Sequence, residues 1–438
     1  MFENIIEQGA VSQLQNDIIS KRFAPSMLFY GPSESGKGSA ALELARVLSC
    51  ENDAAWKCGC SSCERHRYLQ HDDLLVLGKR SFSAEIAACC SVFLRNPSNI
   101  NSKLLFFRSL RKLQIRFSPV LLEDDPKAGK LVSVLQSFDE KLNEFLLIKE
   151  NTEKDTALEK LCGALVKEAL VLETDGISAK IPVNQIRQAA WWCRLAPNGK
   201  KKILIIENAE NMKEEARNSL LKLLEEPPST VSIVLTAQRR EAIIQTILSR
   251  LRPYRFLKRS AESEKEIIRR VFQDTVHETD KKTEGSLISA YIESFLPQNS
   301  EKLYPLAAWF ICSFARIASV NLKKNAKPVP GIITAIGERY APIAQETGLE
   351  RTVRSSSIVK TLLAQSGNFE DDSLPRFLKI CLDLIASVSR EADDPECVKF
   401  NDIFKKYIGE TVTAVDVLNQ STTLALEALV HKLIINMV

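Results

Sequence analysis

Gly31-Pro32-Ser33-Glu34-Ser35-Gly36-Lys37-Gly38 has the GxxxxGK spacing of a phosphate-binding loop, except that glycine stands where a serine or threonine should close it. Such a loop wraps phosphates in successive backbone N–H groups at a helix N-terminus, and its lysine reaches the terminal phosphates. Gly38 offers no hydroxyl to Mg²⁺, so ATP or ADP is expected to be held weakly or non-productively. The context fits the motif. Met27-Leu28-Phe29-Tyr30 is a short apolar run, and Ser39 to Leu48 follows with Ala40, Leu44 and Leu48 at helical spacing.

Working outward, Ile203 to Ile206 reads as a second strand ending in Glu207, after a basic run Lys200 to Lys202 read as a solvated turn. Lys213 to Glu226 reads as an amphipathic helix with Ala216, Leu220, Leu223 and Leu224 on one face, stopped by Pro227-Pro228. Val231 to Leu235 is a third strand, followed by a helical segment to Arg250. Strands alternating with helices predict a doubly wound parallel sheet with the phosphate loop at its edge. Between Gly78 and Leu172 the character changes. Leu131, Leu135, Phe138, Leu142 and Phe145 recur at helical steps, as do Leu158, Leu161, Leu165 and Leu172, predicting a helical, separately packed insertion. Beyond Ser260 the chain reads as mostly helical, for example over Lys302 to Ala318 and Thr422 to Val438.

The 438 residues suffice for two or three domains, and three are expected. With 45% hydrophobic and 26% charged residues the balance is that of a globular protein, and a formal charge of +4 is too small to argue direct nucleic-acid binding. No secretory signal and no apolar run long enough to span a bilayer are read here, so a cytoplasmic protein without membrane contact is expected. Eleven cysteines then suggest reduced thiols. Seven are scattered (Cys89, Cys90, Cys162, Cys193, Cys312, Cys381 and Cys397) and read as small buried hydrophobes. The other four, Cys50, Cys58, Cys60 and Cys63, fall within fourteen residues and suit a tetrahedral structural zinc. Cys60-Ser-Ser-Cys63 is a CxxC knuckle, but Cys58-Gly-Cys60 is one residue short of another, so His66 and His71 stay open as substitute ligands. Four protein ligands leave no position for catalysis.

In this order the motifs resemble the bacterial DNA polymerase III clamp-loader subunits, the gamma/tau and delta-prime members of the AAA+ ATPases. The matching pieces are Gly31 to Lys37, the cysteine cluster, His71-Asp-Asp-Leu-Leu-Val-Leu77, Ile186-Arg187, Ile203 to Glu207, Asn218 to Pro228 with its Leu-Glu-Glu-Pro-Pro ending, and Thr246-Ile-Leu-Ser-Arg250. They cover residues 1 to about 258, apart from 79 to 172, which the family pattern does not predict. The resemblance implies an AAA+ P-loop domain over 1–258, with a zinc module at about 50–66 and the helical insertion at about 79–172. A helical lid over 259–298 and a C-terminal helical collar over 299–438 would complete an α/β plus all-α chain. It further implies a hetero-pentamer with gamma/tau and delta subunits that places a sliding clamp on primed DNA. The chain would be a non-polymerase subunit of the holoenzyme. Gly31 to Gly38 would contact phosphates, Glu207 would help hold Mg²⁺, and Arg250 would reach ATP in a neighbouring subunit as an arginine finger in trans, although Leu251 replaces the cysteine of the family's Ser-Arg-Cys motif.

Several family positions are altered together. Asn208 stands where hydrolysing members carry a glutamate, and an amide cannot act as a general base. Ala237 and Gln238 replace a threonine pair near the γ-phosphate. In the short echo Glu284-Gly-Ser-Leu-Ile288, Ile288 replaces a nucleotide-contacting arginine. With Arg250 retained, the combination reads as a delta-prime-like stator without intrinsic ATP hydrolysis. Two alternatives stay open: an ATP-hydrolysing gamma/tau-type motor, in which Ser39 or a water replaces the hydroxyl and Glu210 the base, and a zinc-bearing P-loop protein unrelated to replication.

Overall fold

Four apolar runs and one basic one form a single parallel sheet: β1 (Ser26–Tyr30), β2 (Leu74–Leu77), β3 (Lys202–Ile206), β4 (Val231–Ala237) and β5 (Arg252–Arg255). Their order is β2-β3-β4-β1-β5. β1 pairs with β4 from Ser26↔Ile233 to Tyr30↔Ala237, and with β5 from Met27↔Arg252 to Tyr30↔Arg255. The phosphate loop therefore leaves the carboxyl end of an interior strand. Three of the strands were legible as apolar runs. β5 was not, because Arg-Pro-Tyr-Arg has no strand pattern; it survives as an edge, where Pro253 has no second neighbour needing its missing N–H.

The computed structural model describes residues 1–125, 127–149, 155–178, 180–274, 286–295, 299–324, 331–349, 355–366, 373–391, 395–416 and 420–437. The chain divides into two units, Met1–Leu296 and Pro297–Val438. In the first, α1 (Gly9–Ile19), α2 (Lys37–Ser49) and α3 (Ser61–Arg67) flank β1 ahead of β2. Between β2 and β3 lie α4 (Ser83–Arg95), α5 (Ile100–Gln114), α6 (Pro119–Leu122), α7 (Ala128–Leu147), α8 (Thr156–Val171) and α9 (Val183–Arg194). Then come α10 (Glu214–Glu225), α11 (Gln245–Leu248), α12 (Ala261–Ile267) and α13 (Leu287–Glu293). The helical segment expected up to Arg250 is reduced to the single turns Arg240–Ala242 and Gln245–Leu248.

The sheet is buried on both faces, and alternate strand residues serve different layers, as a doubly wound arrangement requires. Leu28, Leu204, Ile206, Ile233 and Leu235 pack with α9 and α10, while Met27, Phe29, Ile203, Ile205 and Val234 pack with α1 and α2. Lys202 corrects the solvated-turn reading of the basic run. It lies in β3, 4% exposed, with its ammonium donating to the Trp192 carbonyl at 2.8 Å and 4.5 Å from the Trp192 ring centre.

The insertion is helical as expected, but it is not separately packed. Phe93, Phe106, Phe138, Phe145 and Leu165 share one core with Ile268, Phe272, Ile288 and Tyr291, which come from the segment after β5. At its margin Arg95 pairs with Asp274 at 2.6 Å, and the Tyr291 hydroxyl donates to the same carboxylate at 2.9 Å. Helical periodicity in the insertion could not reveal this, because it shows that a face is apolar and not what covers it.

The second unit is all-helical: α14 (Asn299–Lys324), α15 (Gly331–Gln345), α16 (Ser355–Ser366), α17 (Ser373–Glu391), α18 (Pro395–Asp416) and α19 (Thr422–Met437). Phe310 against Phe377 and Phe314 against Phe404 mark its core. Contrary to the sequence reading, Leu303–Lys324 is long and apolar enough to cross a membrane by length and composition, but 67% of its apolar window is buried inside the unit, as in a core helix. Cys89, Cys90, Cys162, Cys193 and Cys381 are buried and Cys312 is half-buried, while the Cys397 side chain, Glu284 and Gly285 lie outside the described residues.

Phe106→Ala tests the shared core. Removing this ring should lower the unfolding free energy of the first unit by about 3–5 kcal/mol, and amide exchange should quicken in α13 as well as in α5. Unchanged protection in α13 would refute the joint packing.

Candidate functional site

The phosphate loop keeps the backbone of an anion cradle. Glu34 and Gly36 have φ of +54° and +92°, the left-handed values that turn successive N–H groups toward one point. The N–H groups of Ser33, Glu34 and Gly36 have no acceptor among the described residues. Gly31 has φ of +153°, and a Cβ there would lie 2.1 Å from the Phe256 carbonyl oxygen, so only glycine lets the loop pass this close to the end of β5. Lys37 is turned into the loop. Its ammonium donates to the Gly31 and Pro32 carbonyls at 2.7 and 2.5 Å and to the Ser35 hydroxyl at 3.3 Å. Burial is the largest influence on it and pulls it down to about 8, against Glu34, Glu210 and Glu207. Arg259 lies over the loop, donating to the Ser35 carbonyl at 3.2 Å.

Beside the loop, Glu207 is not free to hold a metal. Its Oε2 accepts from Arg116 Nη2 at 2.6 Å, with both side chains buried, and its Oε1 lies 3.8 Å from Arg80 Nη1. Burial alone would raise this carboxyl; Arg116 first and then Arg80 overcome it and hold it below the usual range. Both arginines belong to the segment between β2 and β3. The same carboxylate fills the space that a residue larger than glycine would take at position 38: a Cβ on Gly38 would sit 2.7 Å from Glu207 Oε1 and 3.6 Å from Arg80 Nη1. The missing hydroxyl and the occupied acid are thus one local rearrangement.

Of the remaining positions, Asn208, Ala237 and Gln238 lie at the same carboxyl end of the sheet, whereas Ile288 and Arg250 do not. Asn208 sits just past β3, with its N–H donating to Thr236 Oγ1 at 3.0 Å and its amide to the Lys79 carbonyl at 2.7 Å. Ala237 ends β4, and its carbonyl accepts from Gly31 N–H at 3.2 Å. Gln238 N–H donates to Glu210 Oε1 at 3.0 Å. Ile288 is buried in the shared helical core; it is the next residue, Ser289, that acts on Glu34, whose carboxyl is raised by burial. Arg250 is exposed on the turn before β5. It donates to the Thr246 carbonyl and to Glu225 Oε1, both at 2.7 Å, and to Ser249 Oγ at 3.1 Å. Sequence reading missed Arg80, Arg116, Arg259 and Ser289. The only signal was Lys79-Arg80, two cations directly after β2, where a strand end faces the loop.

The four cysteines converge. Cys50, Cys58, Cys60 and Cys63 have all their sulfurs within 4.8 Å of one another. Cys50 Sγ lies 3.6 Å from Cys58 Sγ and 3.9 Å from Cys60 Sγ, against about 3.8 Å for the edge of a tetrahedron with zinc–sulfur bonds of about 2.3 Å. Asn52 N–H donates to Cys50 Sγ, Cys63 N–H to Cys60 Sγ, and Arg46 Nη1 to Cys63 Sγ at 3.0 Å, donors that favour thiolates. The donor set fits a structural zinc. His71 stands outside it, its Nδ1 accepting from Asp73 N–H at 3.1 Å and its Nε2 3.0 Å from Ser62 Oγ. His66 stacks on His71 at 4.1 Å.

A family model described as DNA polymerase III, delta subunit, matches residues 6–114 and 134–260, more than half of the chain. It runs through most of the insertion, correcting the expectation that 79 to 172 falls outside the family pattern; only 115–133 is skipped. The DNA polymerase III subunit delta′ of Bacillus subtilis (strain 168) is 35% identical over 80 residues, 18% of this chain, and the match spans 24% of that protein's length. A solved gamma subunit-related protein of DNA polymerase III from Thermotoga maritima is 19% identical, covering 60% of this chain and 81% of its own, with a TM-score of 0.29, too low to carry an argument.

Two measurements probe this geometry. Glu207→Gln leaves Arg116 buried without its counter-charge, at a cost of about 3–5 kcal/mol. Because the Glu207 carboxyl is held below its unfolded value of about 4.3, its stabilisation is fully present above that value and is lost as the pH falls through the folded one. The stability gap between wild type and Glu207→Gln should therefore be widest near neutrality and shrink in acid, and a gap that does not change with pH counts against the pair. For the cysteines, elemental analysis should give about one zinc per chain, lost with Cys60→Ser and Cys63→Ser together; protein made with zinc available yet metal-free would remove the assignment.

Proposed function

This chain belongs to the DNA polymerase III delta-subunit family, clamp-loader proteins of DNA replication, and from that premise we propose that it is a delta-prime-like stator that does not hydrolyse ATP itself. The observation that carries the reading is Glu207, whose carboxylate is bound by Arg116 instead of being available to Mg²⁺. Gly38, without a hydroxyl, and Asn208, without a basic side chain, support it. Arg250 is the part kept in working order. Its partner Glu225 is half-exposed, and a surface pair of this kind is worth only about 0–1 kcal/mol, so the guanidinium can leave it for the γ-phosphate of ATP bound to a neighbouring subunit. The partners are gamma/tau and delta subunits in a hetero-pentamer, the sliding clamp, and primed DNA through the complex. The four-cysteine module holds a structural zinc, residues 259–298 act as lid and 299–438 as collar. Any ATP or ADP on the chain's own loop is held without turnover.

The ATP-hydrolysing gamma/tau-type alternative retains one supporting observation. Glu210 acts on Lys37, and its Oε2 has no partner among the described residues. A base near the loop is of no use, however, without a held metal.

In a reconstituted loader, Arg250→Ala should lower the DNA- and clamp-stimulated ATPase by about 10³-fold or more at the one site it serves, without preventing assembly. Normal hydrolysis by that complex would remove the finger assignment. The isolated chain should show no steady-state ATPase, and Mg²⁺-dependent turnover abolished by Lys37→Ala would establish the motor instead.

A further inference from the structure

The family's Mg²⁺ does not fit the residues of this loop, and what replaces it is on the chain. Arg80 Nη1 lies 3.6 Å from the Cβ position at residue 38 and 3.8 Å from Glu207 Oε1, between the two groups that would otherwise converge on the metal. Arg116 holds the far side of the same carboxylate; it is 7% exposed, and its Nε and Nη1 have no partner among the described residues. Glu85 pairs with both Arg80 and Lys112, and Glu207 with Arg116 and Arg80, so three cations share two carboxylates in direct pairs, with Glu34 of the loop acting on Arg80 from further off. Lys37 is held by the loop's own carbonyls, bonds that an incoming phosphate would have to replace. Apart from the adjacent Lys37, Arg80 is the cation nearest the Cβ position at Gly38, and its side chain is 31% exposed. The cradle N–H groups beside it are unclaimed.

We propose that Arg80, backed by Arg116, stands in for the divalent cation, so that this loop takes the pyrophosphate group of a nucleotide as a metal-free anion. A guanidinium is permanently charged and presents a planar fork of donors that matches phosphate oxygens. Unlike Mg²⁺ it brings no bound water and cannot be diluted away. Arg116 comes from residues 115–133, the stretch that the family model skips, whereas Arg80 lies within the matched residues. The proposal rests on the non-hydrolysing reading, but binding of ADP is measured separately from turnover of ATP, so the two fail separately.

The test is calorimetric titration of the full chain with ADP and with inorganic pyrophosphate, in buffer freed of divalent ions without a chelator, to spare cysteine-bound metal, and again with Mg²⁺. ADP should bind equally tightly in both buffers. Arg80→Ala should weaken metal-free binding by about tenfold or more, and Arg80→Lys should recover part of the loss. Pyrophosphate binding as tight as ADP would assign recognition to the phosphates alone, and ADP binding without pyrophosphate would add the nucleoside; either supports the anion site if it is Mg²⁺-independent. Binding that needs Mg²⁺, binding of neither ligand, or an Arg80→Ala variant with undiminished affinity would each overturn it. The wild-type comparison with and without Mg²⁺ decides the matter even if a variant folds poorly.

Discussion

The carboxyl edge of the sheet depends on the buried pair between Glu207 and Arg116. Taking either charge out of water alone is costly, and removing one partner of such a pair strands the other at about 3–5 kcal/mol. The two side chains therefore fix each other. Through them the end of β3 is fixed to the turn Ile115–Phe117 that follows α5. Arg80 and Lys112 extend the contact to Glu85 on α4. A surface decoration would leave the sheet edge untouched; this insertion supplies the counter-charges for the acid that follows β3.

That anchoring gives the shared helical core its meaning. In a nucleotide-driven subunit the helices after the sheet must change their position as the phosphates change. Here Ile268, Phe272, Ile288 and Tyr291 are buried with aromatic side chains of the insertion, which is itself tied to β3. Moving α12 and α13 as a lid would expose those side chains, each worth roughly 1.5–3 kcal/mol of burial. The segment is thus held to the sheet by the insertion.

How much of this was legible depends on whether the information was local. The phosphate loop, β1, β3, β4, α2 and α10 were readable because a strand buried on both faces must be apolar throughout and a helix beside it must be apolar on one side. The cysteines were readable because four thiols bunched in one loop match the donor set of tetrahedral zinc. Lys202 was misread as solvated because charge alone does not reveal a long side chain that buries its stem and caps a carbonyl. Arg116 left no trace at all: an arginine after a helix looks like any other until the fold sets it against an acid 91 residues away.

The site was half legible for the same reason. Losses were visible one residue at a time, as Gly38, Asn208, Ala237 and Ile288. What could not be seen was that Gly38 and Glu207 are coupled through space, the carboxylate lying where a longer residue would begin. Restoring a serine at 38 would therefore not restore a metal site, because Glu207 would first have to give up Arg116. Arg250 contrasts with this: it is exposed, held by the half-exposed Glu225, the Thr246 carbonyl and the Ser249 hydroxyl. Burial has committed Glu207 and Arg116 to structure, whereas Arg250 keeps its guanidinium at the surface.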